Sequence, residues 1–147
     1  MKELLPYCYA QIKKYDDVIR KLNSFQCVSS NMHITACDAV AMYPNIHTDQ
    51  GLALISMALD TFVFKVRPGW PRKQTTLAIK ILLKCDVFEF GDTYYKQLQG
   101  GAMGNPFTCI WAIVHYAVIE KLLLSAELKE SILLLVRFID NMFIVWN

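Results

Sequence analysis

Two aspartates lie where packing alone would not place them. Asp38 interrupts the alternating, β-branched run His33–Val40, and Asp140 lies at the tip of the apolar segment LLLVRFIDNMFIVW. A strand-end cap or a turn residue would account for either one alone. Together, a strand aspartate and a hairpin aspartate can lie side by side in one sheet, where carboxylate oxygens bind Mg²⁺ and leave positions for water and phosphates. Two such ions would activate an attacking 3′-hydroxyl and stabilise a leaving pyrophosphate.

Three segments around these aspartates resemble the motifs of one enzyme family. Segment 38–46 reads DAVAMYPNI, segment 95–106 reads YKQLQGGAMGNP, and segment 138–146 reads FIDNMFIVW. In this order, with a helical region between the first two, they are similar to the palm motifs of reverse transcriptases, which are RNA-directed DNA polymerases. The form is most similar to that of Penelope-like and related non-LTR retroelements.

The resemblance implies a role for each matching residue. Asp38 and Asp140 would bind two Mg²⁺ or Mn²⁺ ions, with the carbonyl of Ala39 as a further ligand. Tyr43 would be the steric gate that excludes a ribose 2′-hydroxyl. The residues that would face the triphosphate or line the template and nucleotide pocket are Ala41, Met42, Gln97, Gly100, Gly101 and Met103. Either of the two adjacent glycines can match the family's glycine, and a plain strand-to-helix turn is the alternative interpretation of this loop.

Two positions depart from the family pattern. Asn141 stands where a second catalytic aspartate is usual, and Asn105 replaces a serine. An asparagine keeps a carbonyl oxygen but loses the negative charge, so the affinity for metal should fall, although related palms also carry Asp-Asn. The resemblance covers about residues 34–146. We therefore expect residues 1–147 to form one partial reverse transcriptase domain, with residues 1–33 a remnant of the fingers.

The implied activity is transfer of a dNTP to the 3′-hydroxyl of a DNA primer on an RNA template. We expect little or no processive synthesis from this chain, because motifs of the fingers and thumb are not visible in it. A catalytically inactive retroelement remnant is the alternative. The hairpin that ends at Trp146 would also present an apolar edge, so we expect self-association.

The elements that must position these motifs are predicted by hydrophobic periodicity. Apolar spacing predicts helices over residues 7–25, 48–64, 75–84 and 106–124. Alternation and turn residues predict a strand over 33–40, a hairpin turning at Gly91-Asp92 and a second hairpin turning at Asp140-Asn141. This order predicts an α+β fold with a ferredoxin-like antiparallel sheet packed with helices, as in the palm of a partial right-hand polymerase.

Composition limits the other classes of protein. The chain has 147 residues, is 54% hydrophobic and 19% charged, and has a net charge of +2, which excludes disorder and gives no electrostatic case for nucleic acid by itself. Five cysteines without a C-x-x-C pair predict buried, reduced thiols and an intracellular protein. A small membrane protein is a further alternative because residues 107–124 are apolar, although Glu120 and Lys121 interrupt them.

Overall fold

The structure, a computed structural model, describes residues 8, 10–26, 31–64, 69, 71–124 and 130–147. The helices are α1 (Tyr15–Ser24), α2 (Met42–Asn45), α3 (Thr48–Ala58), α4 (Arg72–Lys84) and α5 (Pro106–Leu124), and a π-helical segment, Leu59–Phe64, continues α3. The strands are β1 (His33–Asp38), β2 (Val87–Phe90), β3 (Thr93–Lys96), β4 (Ile132–Phe138) and β5 (Asn141–Trp146). Helices packed with an antiparallel sheet confirm the predicted α+β class.

The main sheet has three antiparallel strands in the order β1-β5-β4, so β5 is central. The segment Ala10–Ile12 adds to the outer edge of β4, because the backbone N–H of Arg137 donates to the Ala10 carbonyl at 2.8 Å and the Ile12 N–H donates to the Arg137 carbonyl at 2.9 Å. Within the described residues β1 has no partner on its outer side, and all of its residues are exposed. In the hairpin that ends at Trp146, β5 is paired on both sides, whereas β4 is paired on its outer side at Arg137 alone among the described residues. Self-association through this hairpin stays a prediction.

Helix α5 forms the centre of the core. It is apolar around its whole circumference, as expected for a helix buried on all sides. Its Trp111, Ala112 and Val114 are almost fully buried. They belong to one cluster with buried residues of the other helices and of the connection between α2 and α3: Met42, Ile46, Ile55, Ala58, Leu59, Ile79 and Leu83. In the described parts of the chain, no helix is both long enough and apolar enough to cross a membrane.

The hairpin β2–β3 projects from this body and is exposed along both strands. It turns at Gly91-Asp92 as predicted, and Gly91 has a φ of +63°, which glycine adopts without steric cost. The rings of Phe88 and Tyr95 stack across the two strands with centroids 5.7 Å apart.

The structure corrects several predicted boundaries. The first helix begins at Tyr15, and position 7 of its predicted range lies outside the described residues. The strand predicted over 33–40 ends at Asp38, and the short helix α2 follows without having been predicted. The second hairpin turns at Ile139-Asp140 rather than Asp140-Asn141, since Asn141 already belongs to β5.

The prediction that the cysteines are buried holds only in part. Cys8 is buried, and its burial raises the pKa of the thiol to about 11. Cys37 and Cys85 are exposed, so the prediction is wrong for them. No disulfide bond occurs among the described cysteines.

The contact between α3 and α5 depends on Gly51. A Cβ atom at this position would lie 2.9 Å from Cε2 of Trp111, which is fully buried and cannot move aside. Alanine would gain about 0.8–1.0 kcal/mol in helix propensity, but overpacking of this kind costs about 1–3 kcal/mol. We expect Gly51→Ala to lower the free energy of unfolding in urea titrations. Gly69→Ala is the control, because a Cβ there meets nothing within 4 Å; an equal loss in both variants would contradict the prediction.

Burial of His115 predicts a pH dependence of stability. Its Nδ1 has no hydrogen-bond partner among the described residues, and burial lowers its pKa below the ordinary value of 6.5. The unfolded chain therefore takes up this proton first as the pH falls through 6.5, so acidification favours unfolding by at most about 1.4 kcal/mol per pH unit. Urea titrations of the wild type at pH 7, 6 and 5 should show this loss, and His115→Phe should reduce it. A parallel pH profile in the variant would contradict the prediction.

Candidate functional site

The two aspartates singled out in the sequence meet at one end of the main sheet. The backbone N–H of Ala39 donates to the carbonyl of Asp140 at 3.0 Å. Residues 39 and 140 thus form a hydrogen-bonded pair, so the adjacent pair Asp38 and Asn141 is of the non-hydrogen-bonded kind. Opposite side chains in such a pair lie on one face with Cβ atoms about 4.5–5.5 Å apart. Asp38 is therefore held beside the turn that carries Asp140.

The Asn141 side chain contacts Asp140 directly. Its Nδ2 donates to Oδ1 of Asp140 at 3.0 Å. This exposed hydrogen bond occupies one of the two carboxylate oxygens of Asp140. Asp38 is exposed to solvent.

The turn that carries Asp140 has an unusual backbone. Ile139 has a φ of +56°, and within the described residues only Ala41 shares a positive φ without being glycine. A β-branched residue in this region carries a steric cost of about 1–3 kcal/mol, which the surrounding structure must offset. The Ile139 carbonyl accepts a hydrogen bond from Nη1 of Arg137 at 2.9 Å.

Tyr43 lies close to the same carboxylate. Burial, the Cys109 thiol and the negative charge of Asp140 together raise the pKa of Tyr43 to about 12. Its ring packs against the buried core, and α2 carries it directly after Ala41, whose φ of +47° turns the chain away from β1. The sequence-predicted steric gate and the aspartate pair thus share one end of the sheet.

The glycine-rich loop holds the backbone of Tyr43. The N–H of Gly101 donates to the Tyr43 carbonyl at 3.2 Å, and the N–H of Gly100 donates to Oγ1 of Thr48 at 3.1 Å. Gly100 has a φ of +73°, and any Cβ there would overlap the Tyr43 carbonyl and the backbone of Pro44. Both glycines are buried against the protein itself, and their predicted place in a nucleotide pocket stays a prediction.

The other predicted site residues differ in their surroundings. The side chain of Gln97 donates to the Gln99 carbonyl at 2.9 Å. Met103 is 78% exposed, whereas the side chain of Met42 belongs to the core. Ala41 is exposed. The nucleotide contacts predicted for these residues stay predictions.

Sequence reasoning missed Asp86, which anchors the glycine-rich loop. Its two carboxylate oxygens accept from the backbone N–H of Ala102 at 2.9 Å and from Nδ2 of Asn105 at 3.1 Å. The Asp86 carbonyl also accepts from the N–H of Gln97. An acidic residue directly before a β-branched and aromatic strand was the available signal. Asn105, seen in the sequence only as a departure from the family pattern, has a structural partner here.

A second missed residue is Arg137, which is 1% exposed. Its Nε donates to Oε1 of Glu120, and Nη2 donates to the Ile113 carbonyl at 3.1 Å. Nη1 bonds Oε1 of Gln11 at 3.0 Å besides the Ile139 carbonyl. Burial raises the pKa of Glu120 despite the opposing effect of the guanidinium. The signal was an arginine in the middle of an otherwise apolar strand.

A cleft of about 380 Å³ opens on the face of the sheet that carries Asp38 and Asn141. Apolar side chains form much of its wall: Ile12, Val18, Val136, Phe138 and Phe143. Of the sequence-predicted metal ligands Asp38, Ala39 and Asp140, only Asp38 lines this cleft. Carboxylate and carbonyl oxygens are nevertheless the ligand types that suit Mg²⁺ or Mn²⁺. No cluster of three or more His, Cys, Asp or Glu occurs among the described residues. The donor set fits a metal that completes its coordination with water and phosphate oxygens.

Comparison with known proteins identifies the fold. No protein-family model and no curated protein sequence matches this chain. Among solved structures, telomerase from Candida tropicalis in complex with the TWJ fragment of telomeric RNA is similar to it with a TM-score of 0.70 and 12% identity, over 94% of this chain and 25% of telomerase. Telomerase from Candida albicans in the corresponding complex gives a TM-score of 0.70 and 13% identity, over 96% of this chain and 28% of telomerase.

The apo telomerase from Candida tropicalis gives the same TM-score of 0.70, with 11% identity over 95% of this chain and 28% of telomerase. The TM-scores show that this chain shares the fold of part of telomerase, and at identities this low the likeness shows the fold alone. The chain spans only about a quarter of the length of these telomerase chains.

The contact between Gly100 and Tyr43 makes a testable prediction. Alanine at Gly100 or at Gly104 must adopt a left-handed φ, of +73° or +94°, at a cost of about 1–2 kcal/mol in each case. Only Gly100 has neighbours within 4 Å of the new methyl group. We expect Gly100→Ala to lower the free energy of unfolding by about 1–3 kcal/mol more than Gly104→Ala does. Equal losses in urea titrations would show that the loop does not depend on this contact.

Proposed function

We propose that this chain is the palm of a retroelement reverse transcriptase, which transfers dNTPs to a primer 3′-hydroxyl on an RNA template. The observation that carries the proposal is the pairing of Asp38 with the Asp140 turn beside Tyr43 at one sheet end. The shared fold with telomerase supports it, because telomerase is a reverse-transcriptase-related polymerase that binds telomeric RNA in two of these structures. In this proposal residues 34–146 form the palm and residues 1–33 a remnant of the fingers.

The metal site would consist of Asp38, Asp140 and the carbonyl of Ala39. Two Mg²⁺ or Mn²⁺ ions, when bound, would activate the 3′-hydroxyl and stabilise the leaving pyrophosphate. The chain's contribution would be preorganisation, since the pairing of β1 with β5 and the hydrogen bond from Ala39 to Asp140 hold the backbones of the two aspartates side by side.

Selection of deoxynucleotides would fall to Tyr43. The Tyr43 ring, which lies near Asp140, would exclude a 2′-hydroxyl by its shape. The buried Gly100 and Gly101 hold its backbone, so the ring cannot retreat from the site without displacing the loop.

A catalytically inactive remnant is the second candidate, and one contact favours it. The Asn141 amide donates to Oδ1 of Asp140, where a second carboxylate would instead add a negative charge. A metal must compete with this N–H for the oxygen. The chain also spans only about a quarter of the telomerase length, so template and primer binding would need segments outside it.

The test measures Mn²⁺ affinity by electron paramagnetic resonance, together with primer extension on an RNA template. We expect Asp38→Asn to weaken Mn²⁺ binding roughly tenfold or more, because it removes one of two anionic ligands. Asn141→Asp should strengthen binding, because it removes the competing donor and adds a charge. Any primer extension should vanish in Asp38→Asn.

The control variant is Asp92→Asn, at an exposed turn of the β2–β3 hairpin. It should leave Mn²⁺ binding unchanged. Equal Mn²⁺ affinities in the wild type and Asp38→Asn would refute the proposed metal site. Metal binding restored by Asn141→Asp but absent from the wild type would favour the inactive remnant.

A further inference from the structure

Arg137 has no place in the proposed chemistry, yet it lies directly behind the aspartate turn. Its guanidinium is almost fully buried and does not reach the cleft surface. We propose that Arg137 is a positioning residue: by binding the Ile139 carbonyl, it holds the strained turn in the conformation that places Asp140 beside Asp38. This proposal rests on the proposed function in one respect, which is the role of Asp140 as a metal ligand.

The guanidinium joins the turn to fixed parts of the fold. On one side it binds two groups of α5, the Glu120 carboxylate and the Ile113 carbonyl. On the other side Nη1 binds Oε1 of Gln11 and the Ile139 carbonyl, at 3.0 and 2.9 Å. Because several acceptors hold the planar guanidinium, it cannot rotate. The direction in which Nη1 donates to the Ile139 carbonyl is therefore fixed. Through the guanidinium, the position of the turn therefore depends on the position of the core helix α5.

The turn needs such a restraint because Ile139 adopts a conformation that its side chain disfavours. With a φ of +56° at a β-branched residue, the two-residue connection would relax if its carbonyl were released. A carbonyl that accepts from a buried guanidinium has a strong, charge-assisted partner. Release would also disturb the adjacent hydrogen bond from the Ala39 N–H to the Asp140 carbonyl, which ties the turn to β1.

A purely structural role for Arg137 makes a different prediction. If the guanidinium only attached α5 to the sheet, its loss would weaken the whole fold evenly. If it positions the turn, loss of the donor should loosen residues 139 and 140 more than the rest of the β1–β5 pairing. Ala39 and Thr35 report this difference, because both lie at hydrogen-bonded positions of β1 and only Ala39 adjoins the turn.

The experiment compares amide hydrogen exchange at Ala39 and Thr35 by NMR. We expect Arg137→Lys, which keeps a charge but loses the fork, to accelerate exchange at Ala39 at least tenfold relative to Thr35. Gln11→Met is the control, because it removes an acceptor of Nη1 and leaves the bond to the Ile139 carbonyl. Its exchange ratio should stay within twofold of the wild type. An unchanged ratio in Arg137→Lys would overturn the proposal.

A second variant covers the case in which Arg137→Lys does not fold. Arg137→Met with Glu120→Leu replaces the buried ion pair by apolar side chains of similar size, an exchange that proteins often tolerate without loss of stability. This double variant still lacks the donor to Ile139. We expect a melting temperature close to that of the wild type together with at least tenfold faster exchange at Ala39 relative to Thr35. A stable double variant with an unchanged ratio would refute positioning.

Mn²⁺ affinity separates this proposal from the proposed function. We expect at least fivefold weaker binding in the double variant than in the wild type, because Asp140 is no longer fixed beside Asp38. A wild type that binds no Mn²⁺ would count against the metal site, whereas the exchange ratio would still decide whether Arg137 holds the turn. Faster exchange at Ala39 with unchanged Mn²⁺ affinity would show that loosening the turn does not displace the Asp140 carboxylate. This outcome would refute that part of the proposal.

Discussion

The burial of the Arg137 guanidinium is the constraint on which the arrangement of this fold depends. A buried cation is tolerated only where its donors find acceptors, and here those come from α5, from the segment at Gln11 and from the hairpin turn. Glu120 supplies the opposing charge, and burial raises the pKa of this carboxylate although the guanidinium lowers it. Helix, sheet and turn must therefore assemble together, because none of them can satisfy the charge alone.

Close backbone approach is the second determinant of the site. Gly100 and Gly101 allow the glycine-rich loop to reach the backbone of Tyr43, and Gly51 allows α3 to lie against the ring of Trp111. In both places the absence of a Cβ atom allows two segments that are distant in sequence to come into contact. The first of these contacts holds the backbone of Tyr43, and the second lies in the core against which the Tyr43 ring packs.

Sequence patterns predicted the elements better than their ends. The Gly91 turn, the apolar helix α5 and the strand that carries Asp38 follow from local composition, and the structure confirms them. Ile139 could not be foreseen as the left-handed residue, because Asp and Asn adopt that conformation more readily and lie directly after it. Its conformation depends on long-range contacts through Arg137. The α2 helix was also missed, since four residues, one of which is Pro44, are too few to show the hydrophobic periodicity of a helix. The side-by-side placement of Asp38 and the Asp140 turn was predictable, whereas the contact between Asn141 and Asp140 was not.

The residues that hold the fold and the residues proposed for chemistry are largely separate. Asp38 and Asn141 are exposed, so substitutions there remove little burial and should cost the fold little. Trp111 and Gly51 are buried, and substitutions there would disturb the core. In the proposed site, a substitution at position 141 would therefore change the affinity for metal while the scaffold around Asp140 persists. Retention of the fold is thus weak evidence for activity. The restraint on the turn and the charge of the carboxylate pair are independent properties, and catalysis would require both.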